Sequence, residues 1–347
     1  MKRHLLFLAA LLIVNLAASA QKKFSVYAVG FYNQENLFDT CHDEGKKDYE
    51  YLPNKGWNGM KYTNKLRNMS KALADMGTDV LPNVGCAFIG LSEVENHKVL
   101  DALVDQAPLK ARNMKYVHIE GPDRRGIDCA LLYNPSLFSV KNVKLLPYVQ
   151  ELAKDSAFFT RGFLTVRGEM AGDDVAVIVC HWPSRFSGPF YRESAARQVK
   201  VIKDSLLNVN QEMKIFVMGD MNDDPVNKSM HVYLQAKPEI SQVGAGDMYN
   251  PWYNVLAKEG KGTLFYSGNW NLFDQIVITP NLRNKDAKKK DYSSLKYWKS
   301  HIFRRDYLIQ QEGQYKGAPL RITAGGRWLN GYSDHLPVVM YLVKEKK

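Results

Sequence analysis

The sequence predicts an α/β protein in which sheets pack face to face and helices cover the outside. Apolar runs rich in β-branched and aromatic residues recur along the chain, bounded by Gly, Pro, Asn or Asp as strands usually are. Amphipathic stretches with apolar residues at helical spacing lie between several of these runs. Neither a linker nor an internal repeat interrupts the pattern, so we expect one domain over residues 21–347.

The predicted strands outnumber the predicted helices. In chain order, the apolar runs that predict strands are FSVYAVGFYN, CAFIGLSE, KYVHIE, IDCALLYNP, FLTVRGEM, DVAVIVCHW, KIFVMGD, LFDQIVIT and LPVVMYLV. Helical spacing predicts helices from Thr63 to Met76, from about Asn96 to Gln106, and from Arg192 to Leu207. Many strands with a few intervening helices imply packed sheets with helices outside.

Residues 1–20 have the composition of a signal peptide. Positive charges at Lys2 and Arg3 precede an apolar run that begins at Leu5, and small residues follow it. We expect cleavage before Gln21 and export to the periplasm or the cell exterior. The run of about 12 residues is shorter than the roughly 20 that a membrane-spanning helix needs, so we expect no stable membrane insertion. An uncleaved N-terminal anchor is the alternative.

The composition is that of a basic globular protein, with 45% hydrophobic residues, 24% charged residues and a formal net charge of +11. Loss of residues 1–20 would remove two positive charges and leave +9. A positive surface attracts nucleic acid, phosphorylated sugars or anionic lipid headgroups. Four cysteines without a CxxC pair exclude a disulfide scaffold and structural zinc. We expect buried thiols at Cys86, Cys129 and Cys180, whereas Cys41 could form a bridge.

Residues 281–332 form a basic and aromatic insertion, which we expect to be irregular. Its basic residues are interleaved with aromatic ones, at Lys288, Lys289, Lys290, Lys296, Lys299, Arg304 and Arg305 and at Tyr292, Tyr297, Trp298, Phe303 and Tyr307. Such a mixture suits phosphate contact combined with base stacking. The alternative is a solvated excursion whose aromatic residues cover the core.

Polar and acidic residues that a core would reject gather where the predicted strands begin or end. They are Asn33, Glu35, Glu93, His181, Asp220, Asn222, Asp274, Asp334 and His335. Strand ends along one sheet edge converge, so we expect these side chains to face a single cleft. Turn caps, surface ion pairs and a packed histidine are the alternatives for most of them. Asp274 is harder to explain in that way, because an acidic residue beside an apolar run is costly unless paired or functional.

These residue types together predict metal-assisted hydrolysis of a phosphoester. Carboxylate and amide oxygens are ligands for Mg²⁺, Mn²⁺ or Ca²⁺, and such an ion neutralises the charge that builds on phosphoryl oxygens. Two histidines can divide the proton transfers, because the ordinary imidazole pKa of about 6.5 lies near neutrality. A carboxylate beside a histidine fixes its tautomer and raises its basicity.

The order of the motifs resembles the endonuclease/exonuclease/phosphatase superfamily, which includes pancreatic-type deoxyribonucleases, abasic-site endonucleases, bacterial sphingomyelinases and inositol polyphosphate phosphatases. The matching blocks, from Asn33 to Val338, are FYNQEN, GLSEVEN, CHWPSR, GDMNDDP, LFDQIVI and SDHLPV. GDxN and SDHxP are specific in combination, although each is weak alone. The resemblance implies a four-layered α/β sandwich, in which two packed and mostly antiparallel sheets are flanked by helices.

The resemblance also implies roles for the matching residues. Glu93, Asn33 and Asp334 would bind or support one or two divalent metal ions, Mg²⁺ or else Mn²⁺ or Ca²⁺. His335, oriented by Asp274, would act as the general base that activates water.

The remaining roles concern the substrate. Asp220 and Asn222 would position the nucleophile and the phosphoryl oxygens, and His181 would contact phosphate and protonate the leaving oxygen. The basic residues expected to bind substrate phosphate are Arg125, Arg185 and Arg192.

We therefore expect an exported, divalent-metal-dependent phosphodiesterase, a monomer that hydrolyses DNA or RNA by inline attack of an activated water. A phospholipase C-like sphingomyelinase or a phosphomonoesterase is the enzymatic alternative. LFDQI lacks the Trp-Cys-Asp-Arg sequence typical of the inositol phosphatases, which disfavours that branch. A polyanion-binding protein that has lost catalysis is the non-enzymatic alternative, and the intact acidic residues and His335 argue against it.

Overall fold

The computed structural model describes residues 23–151, 158–284 and 290–346. The predicted signal peptide and residues 285–289 of the insertion, which include Lys288 and Lys289, lie outside the described residues. Two sheets pack against each other and helices cover their outer faces, which confirms the predicted α/β fold class.

The described strands form two sheets and two separate hairpins. In chain order they are β1 (Phe24–Leu37), β2 (Phe88–Val94), β3 (Lys115–His118), β4 (Asp128–Tyr133), β5 (Phe138–Leu146), β6 (Phe163–Met170), β7 (Asp173–His181), β8 (Lys214–Asp220), β9 (Ala236–Lys237), β10 (Met248–Tyr249), β11 (Leu264–Tyr266), β12 (Asn269–Asn271), β13 (Asp274–Ile278), β14 (Lys296–Ile302), β15 (Thr323–Ala324), β16 (Arg327–Trp328) and β17 (Val338–Glu345). Strands β1–β4, β14 and β17 belong to one sheet, β5–β10 and β13 belong to the other, and β11–β12 and β15–β16 form the separate hairpins.

The described α-helices lie on the outside of the sheets. They are α1 (Gly59–Asp75), α2 (His97–Val104), α3 (Ala107–Ala111), α4 (Pro189–Val209) and α5 (Tyr253–Glu259). The side chains of Asn58 and Asn96 accept backbone N–H groups of the first turns of α1 and α2, as N-caps do. Helices α1 and α4 cover the predicted helical stretches. The helix predicted from about Asn96 to Gln106 corresponds to α2, and the short α3, which we did not predict, follows it from Ala107.

The first sheet has the strand order β14-β17-β1-β2-β4-β3, and the second has the order β5-β6-β7-β8-β13-β10-β9. Most neighbouring strands are antiparallel, but β1 and β2 are parallel, as are β7 and β8 and the short strands β9 and β10. Helix α1 lies in the crossover between β1 and β2, and α4 lies in the crossover between β7 and β8. Each sheet therefore has a parallel pair whose carboxyl ends point the same way.

Three apolar layers hold the sandwich together. The inner faces of the sheets meet in a core that contains Phe88 and Phe216, whose ring centroids lie 5.5 Å apart. Leu66 of α1 packs on the outer face of the first sheet, and Val199 of α4 packs on the outer face of the second. Burying one such side chain contributes about 1.5–3 kcal/mol relative to exposure.

Eight of the described strands lie where we did not predict them, namely the long strands β5 and β14 and six short strands of two or three residues, β9–β12, β15 and β16. The edge strand β5 has the sequence FSVKNVKLL, whose exposed polar residues hide the apolar pattern. Strand β14 lies in the insertion that we expected to be irregular, and it pairs with β17. Phe303 is buried just after β14, whereas the Trp298 side chain is about half exposed at 49%. The aromatic residues of the insertion are thus divided between core and solvent.

The cysteines match the expectation of buried thiols. Cys86, Cys129 and Cys180 are buried and free, and Cys41 is an exposed free thiol. Among the helices of the described residues, none combines the length and the apolar composition that crossing a bilayer demands.

Alternation along the strands places polar residues on the inner faces at one end of the sandwich. In β7, Val177 and Val179 face the core between the sheets, and the same face continues to His181 at the end of the strand. Strands β8 and β13 carry Asp220 and Asp274 onto the inner face in the same way. The second sheet thus presents these three side chains toward the first sheet where the apolar core ends.

Candidate active site

The ends of four strands bring Asn33, His181, Asp220 and Asp274 into one cleft. The ladder register pairs His181 with Asp220 and pairs Asp220 with Asp274. Asn33 belongs to the other sheet, and its Nδ2 donates to Oδ2 of Asp220 over 3.0 Å. All four side chains are buried. This hydrogen bond between sheets closes the polar end of the sandwich.

Glu93 reaches the same cleft through an irregularity in β2. Strict alternation would turn its side chain toward the helices, but its φ is 59° and the ladder with β4 shifts register between Ser92 and Val94. A bulge of this kind re-aims a side chain. Oε2 of Glu93 accepts the backbone N–H of Asn36 at 3.0 Å, and Oε1 lies 3.8 Å from Nε2 of His181.

His335 forms a buried pair with Asp274. Its Nδ1 lies 2.7 Å from Oδ2 of Asp274, and its Nε2 lies 3.8 Å from Oδ2 of Asp220 and 3.9 Å from Oδ1 of Asp334. Burial alone would lower the pKa of His335. The charges of Asp274, Asp220 and Asp334 and the hydrogen bond outweigh burial and hold that pKa well above its ordinary value. These carboxylates therefore favour the protonated imidazole at neutral pH.

His181 has the opposite tendency. Burial lowers the pKa of His181 well below its ordinary value, and the positive charges of Arg161, Arg125 and His335 lower it further. Nε2 of His181 lies 3.7 Å from Oδ2 of Asp220. Its Nδ1 is buried and finds no hydrogen-bond partner in the described part of the chain. His181 is thus a neutral imidazole whose Nε2 faces two carboxylates.

Asp220 lies at the centre of the cluster. Burial raises the pKa of Asp220 to about 6, although His335 opposes this effect, and Asp274 adds to it. The backbone N–H of Asn222 donates to Oδ1 of Asp220 at 2.9 Å. Asn222 itself has a φ of 49°, in the left-handed region, and its Nδ2 donates to the carbonyl oxygen of Trp182 at 2.9 Å. The side-chain amide of Asn222 thus ties the GDMNDDP loop to the end of β7.

A divalent metal ion fits one subset of these residues. Glu93, His181 and Asp220 each offer a ligand atom, and the three atoms lie within 4.8 Å of one another. Carboxylate oxygens are hard ligands that suit Mg²⁺ or Mn²⁺, and a neutral imidazole can add a nitrogen. The nearest guanidinium nitrogen of Arg125 is 3.9 Å from Glu93, too far for a hydrogen bond.

The two other predicted metal residues are placed differently. Oδ1 of Asn33 accepts the backbone N–H of Glu35 at 2.8 Å while its Nδ2 donates to Asp220, so its amide is hydrogen-bonded at both ends. Oδ2 of Asp334 lies 3.2 Å from a guanidinium nitrogen of Arg321. Asn33 supports Asp220, and Asp334 borders the cleft on the far side of His335.

Glu35 and Arg321 extend this far side. Arg321 Nε lies 3.3 Å from Oε1 of Glu35, and Oε2 of Glu35 accepts the backbone N–H of Ile322 at 2.8 Å. Burial, and after it the charge of Asp334, raise the pKa of Glu35 to about 8, whereas Lys65 and Arg321 oppose the rise. Sequence analysis gave Arg321 no role, because it lies in the insertion, far along the chain from any motif.

Arg125 and Arg161 form a cationic wall beside His181. A guanidinium nitrogen of Arg161 lies 3.0 Å from Oδ2 of Asp123, and the other donates to the carbonyl oxygen of Trp182 at 3.0 Å. Oδ1 of Asp123 accepts the backbone N–H of Arg125 at 2.8 Å. We predicted Arg125 but missed Arg161. The hairpin of β6 and β7 was the available signal, because its register places Arg161, two residues before β6, opposite Trp182, which follows β7.

Arg185 and Arg192 do not line the cleft, so their predicted role as phosphate ligands is not supported. The Arg192 side chain is only 5% exposed, and its Nε lies 2.9 Å from Oδ1 of Asp223. Arg185 forms an ion pair with Asp224 at 2.8 Å and lies over the ring of Phe273. Both arginines form ion pairs with acidic residues of the GDMNDDP loop and so hold that loop in place.

A cavity of about 230 Å³, which we call the catalytic cavity, opens beside these groups. The site residues in its wall are Glu93, Arg125, Arg161, His181, Asp220, Asn222 and His335, joined by Phe158 and Phe159. Two larger cavities, of about 620 and 660 Å³, contain none of the predicted site residues. We therefore locate the site by its chemistry rather than by cavity size.

The chain resembles known proteins in sequence profile and in fold. The Endonuclease/Exonuclease/phosphatase family profile matches residues 28–344. No curated protein sequence matches the chain.

Solved structures share the fold at low sequence identity. Zebrafish TDP2 complexed with a single-strand DNA product has a TM-score of 0.53 and 11% identity, over 92% of this chain and 99% of the other. A mannosyl-6-phosphatase of Bacteroides thetaiotaomicron has a TM-score of 0.54 and 14% identity, over 91% and 99% of the two chains. An endonuclease/exonuclease/phosphatase family protein of the same organism scores 0.54 with 14% identity, over 93% and 97%.

Proposed function

Because the chain belongs to the endonuclease/exonuclease/phosphatase family, we propose that this phosphoesterase is a divalent-metal-dependent phosphodiesterase, specifically a nuclease that hydrolyses DNA or RNA. The observation that carries the proposal is the buried His335–Asp274 pair. Nε2 of His335 faces Asp220 and Asp334, on the edge of a cavity that Arg125 and Arg161 also line. A histidine oriented by a carboxylate beside an anion-binding wall is what water activation at phosphorus needs.

Glu93 and Asp220 would hold the metal ion, and Nε2 of His181 beside them would be left for the substrate. A divalent ion bound there would neutralise the negative charge that develops on the phosphoryl oxygens. Asn33 keeps Asp220 in position through its 3.0 Å hydrogen bond. Arg125 and Arg161 lie on the same side as His181 and would attract the remaining phosphoryl oxygens.

The two histidines would share the proton transfers, and their pKa directions constrain how. A general base must be neutral, yet three carboxylates raise the pKa of His335. Positive charge added beside Asp220 and Asp334 would oppose that effect and bring His335 toward the neutral form. His335 would then accept the proton of the attacking water through Nε2, with Nδ1 held by Asp274. His181, which is neutral, would donate a hydrogen bond to a phosphoryl or leaving oxygen rather than carry a permanent positive charge.

Nucleic acid is the substrate class that the charges favour. The formal charge of the chain is +11, and two guanidinium groups line the catalytic cavity. Zebrafish TDP2, which shares the fold, was solved with a single-strand DNA product.

A phosphomonoesterase that acts on a sugar phosphate is the second candidate. The catalytic cavity of about 230 Å³ is small for a ligand site, and one phosphorylated ring could fill it. A structural neighbour is a mannosyl-6-phosphatase. A monoester and a diester differ in the second substituent on phosphorus, so the two candidates are separable by substrate.

We also propose that the protein is exported and acts as a monomer. The composition of residues 1–20 supports export. Secretion of a reporter fused to residues 1–20, followed by N-terminal sequencing, tests this proposal, and retention in the cytoplasm would contradict it. Gel filtration or light scattering tests whether the protein is a monomer in solution.

Hydrolysis of a substrate panel tests the proposed activity. The protein without residues 1–20 would be incubated with plasmid DNA, single-stranded RNA, sphingomyelin, inositol phosphates and mannose 6-phosphate, with Mg²⁺, Mn²⁺, Ca²⁺ or EDTA. The proposal expects metal-dependent cleavage of nucleic acid. Turnover of a monoester or of sphingomyelin alone would establish another substrate. If no substrate were turned over, the result would favour the alternative of a polyanion-binding protein that has lost catalysis.

A further inference from the structure

A second cavity borders the site on the side of Asp334. It has a volume of about 1130 Å³ and lies between the β11–β12 hairpin and the segment that includes β15 and β16. We call it the Arg321 cavity. Asp334 forms part of its wall, and Oδ1 of Asp334 lies 3.9 Å from Nε2 of His335. His335 also lines the catalytic cavity. The two cavities therefore adjoin each other at the consecutive residues Asp334 and His335.

Cationic and aromatic side chains line the Arg321 cavity. Arg321 is held by Glu35 and Asp334, yet 44% of its side chain remains exposed to the cavity or to solvent. Arg327 is exposed, and within the described residues no acidic side chain forms an ion pair with it. Tyr266 and Tyr315 are 65% and 50% exposed. Arginines and solvent-facing rings together suit a phosphate backbone with unstacked bases.

The Arg321 cavity continues into the cavity of about 620 Å³. Both share Phe265, Gln314 and Tyr315 in their walls. The smaller of the two adds the basic side chains of Arg304 and Lys316. A substrate of several phosphorylated units that extends from His335 along these two cavities would thus meet positively charged side chains in both. A monoester needs no such path, because its phosphorus carries one substituent only.

From this arrangement we propose that the Arg321 cavity binds the part of a single-stranded nucleic acid that lies on the opposite side of the scissile phosphate from the catalytic cavity. This inference rests on the proposed function and names its substrate class. A single strand fits better than a duplex, because paired bases are stacked on each other and cannot stack on Tyr266 or Tyr315. The cleaved bond is then internal to the strand, with nucleotides bound on both sides of it.

Two variants and one matched control test the inference. Tyr266→Ala removes an exposed ring and Arg327→Ala removes an exposed charge, so neither should disturb the core. Trp298→Ala removes an exposed ring of the insertion that lines neither cavity. Binding of a fluorescein-labelled single-stranded oligonucleotide is measured by anisotropy in EDTA, and kcat/KM is measured with Mg²⁺ for the same oligonucleotide and for bis(p-nitrophenyl) phosphate.

The inference expects Tyr266→Ala to weaken oligonucleotide binding about tenfold, the usual size of one stacking contact. Arg327→Ala should lower the slope of log affinity against log salt by about 0.7, the value for one phosphate contact on a single strand. In both variants the ratio of kcat/KM for the oligonucleotide to that for the small diester should fall, and in Trp298→Ala it should not change.

Four results would overturn the inference. Unchanged oligonucleotide affinity in both variants would remove the cavity from the binding path, and so would an equal loss in Trp298→Ala. If the two variants weakened the binding of a duplex as much as that of a single strand, the claim that the occupant is single-stranded would be rejected. Weaker binding of a phosphorylated mannan, with oligonucleotide binding intact, would assign the cavity to a phosphorylated polysaccharide. If the parent protein hydrolyses no diester, not even the small one, the proposed function itself fails, which distinguishes that outcome from the others.

Discussion

Oδ2 of Asp274 lies 2.7 Å from Nδ1 of His335, and both side chains are buried at the point where the apolar core gives way to the cleft. The hydrogen bond fixes the ring so that Nε2 faces Asp220 and Asp334. One carboxylate thus decides both the orientation of the histidine and, through its charge, how tightly the histidine holds a proton.

Replacing Asp274 with Asn tests that relationship. The amide keeps the shape but removes the charge, so the pKa of His335 should fall and the ring should lose its fixed tautomer. We expect kcat to fall by at least ~10², with a smaller change in KM. Steady-state kinetics with the cleaved substrate provide the measurement. A kcat within a factor of three of the parent would show that His335 needs no orienting charge.

The histidine pKa values can be measured directly in the metal-free protein. Carboxylates raise the pKa of His335 and burial next to arginines lowers that of His181, so at pH 7.5 the first should be protonated and the second neutral. NMR titration of the imidazole resonances, assigned with His335→Gln and His181→Gln, checks this order. The opposite order would mean that the cluster has a different charge state from the one we infer.

Arg161 should act on both substrate and His181. In Arg161→Met the substrate phosphate loses a cation and KM should rise about tenfold, in keeping with one charge-assisted contact of about 1.4 kcal/mol. The pKa of His181 should rise, because Arg161 is one cause of its depression. Arg167→Met is the matched control, since Arg167 lies on β6, which begins two residues after Arg161 in the chain, and pairs with Asp174 at 3.6 Å. Equal effects of the two substitutions on KM would remove Arg161 from the site.

Arg192 should matter for stability rather than for substrate binding. Arg192→Met would leave the buried carboxylate of Asp223 without its main cation, at a cost of about 3 kcal/mol in the free energy of unfolding. Urea denaturation measures this cost. Lys141→Met, which breaks the exposed pair with Glu169, should cost far less. A stable Arg192→Met protein with a raised KM would restore Arg192 as a phosphate ligand.

Glu35 predicts a pH dependence of stability. Its pKa is about 8 in the folded protein and 4.5 for the free group, so the folded state keeps a proton that the unfolded state releases between these values. The parent should therefore lose stability as pH rises from about 5 to 8, by ~1–3 kcal/mol from this group.

Glu35→Gln carries no such proton, so its stability relative to the parent should increase over the same interval. Urea denaturation in EDTA at pH 5 and pH 8 measures the difference, with Glu169→Gln as an exposed control. A difference between Glu35→Gln and the parent that does not change with pH would show that Glu35 is ionised throughout.

The ends of the predicted strands indicated a large part of this site. His181, Asp220 and Asp274 each lie at one end of an apolar strand, and they share one cleft because each continues the inward face of its strand. Glu93 also lies at a predicted strand end, but only a bulge with a positive φ turns its side chain inward, since strict alternation would have turned it toward the helices.

Tertiary pairing explains what the sequence could not predict. Arg185 lies in the CHWPSR motif and Arg192 follows soon after it, and both carry the positive charge that a phosphate ligand needs. In the folded protein, however, their guanidinium groups form ion pairs with acidic residues of the GDMNDDP loop. Arg321 does contact the site region, where Glu35, a residue distant in the chain, pairs with it, whereas the hairpin of β6 and β7 could have placed Arg161 there. Edge strand β5 was missed for a related reason, since exposed lysines and asparagine conceal its few apolar positions.

The most direct test of the account is cleavage of a single-stranded oligonucleotide by the protein without residues 1–20 and by its His335→Ala variant, each in Mg²⁺ and in EDTA. The account predicts internal cleavage by the parent in Mg²⁺, none in EDTA, and a rate lower by at least ~10² in the variant. Cleavage that persists in EDTA, or a variant as fast as the parent, would contradict the claim that this cluster is a metal-dependent phosphodiesterase site.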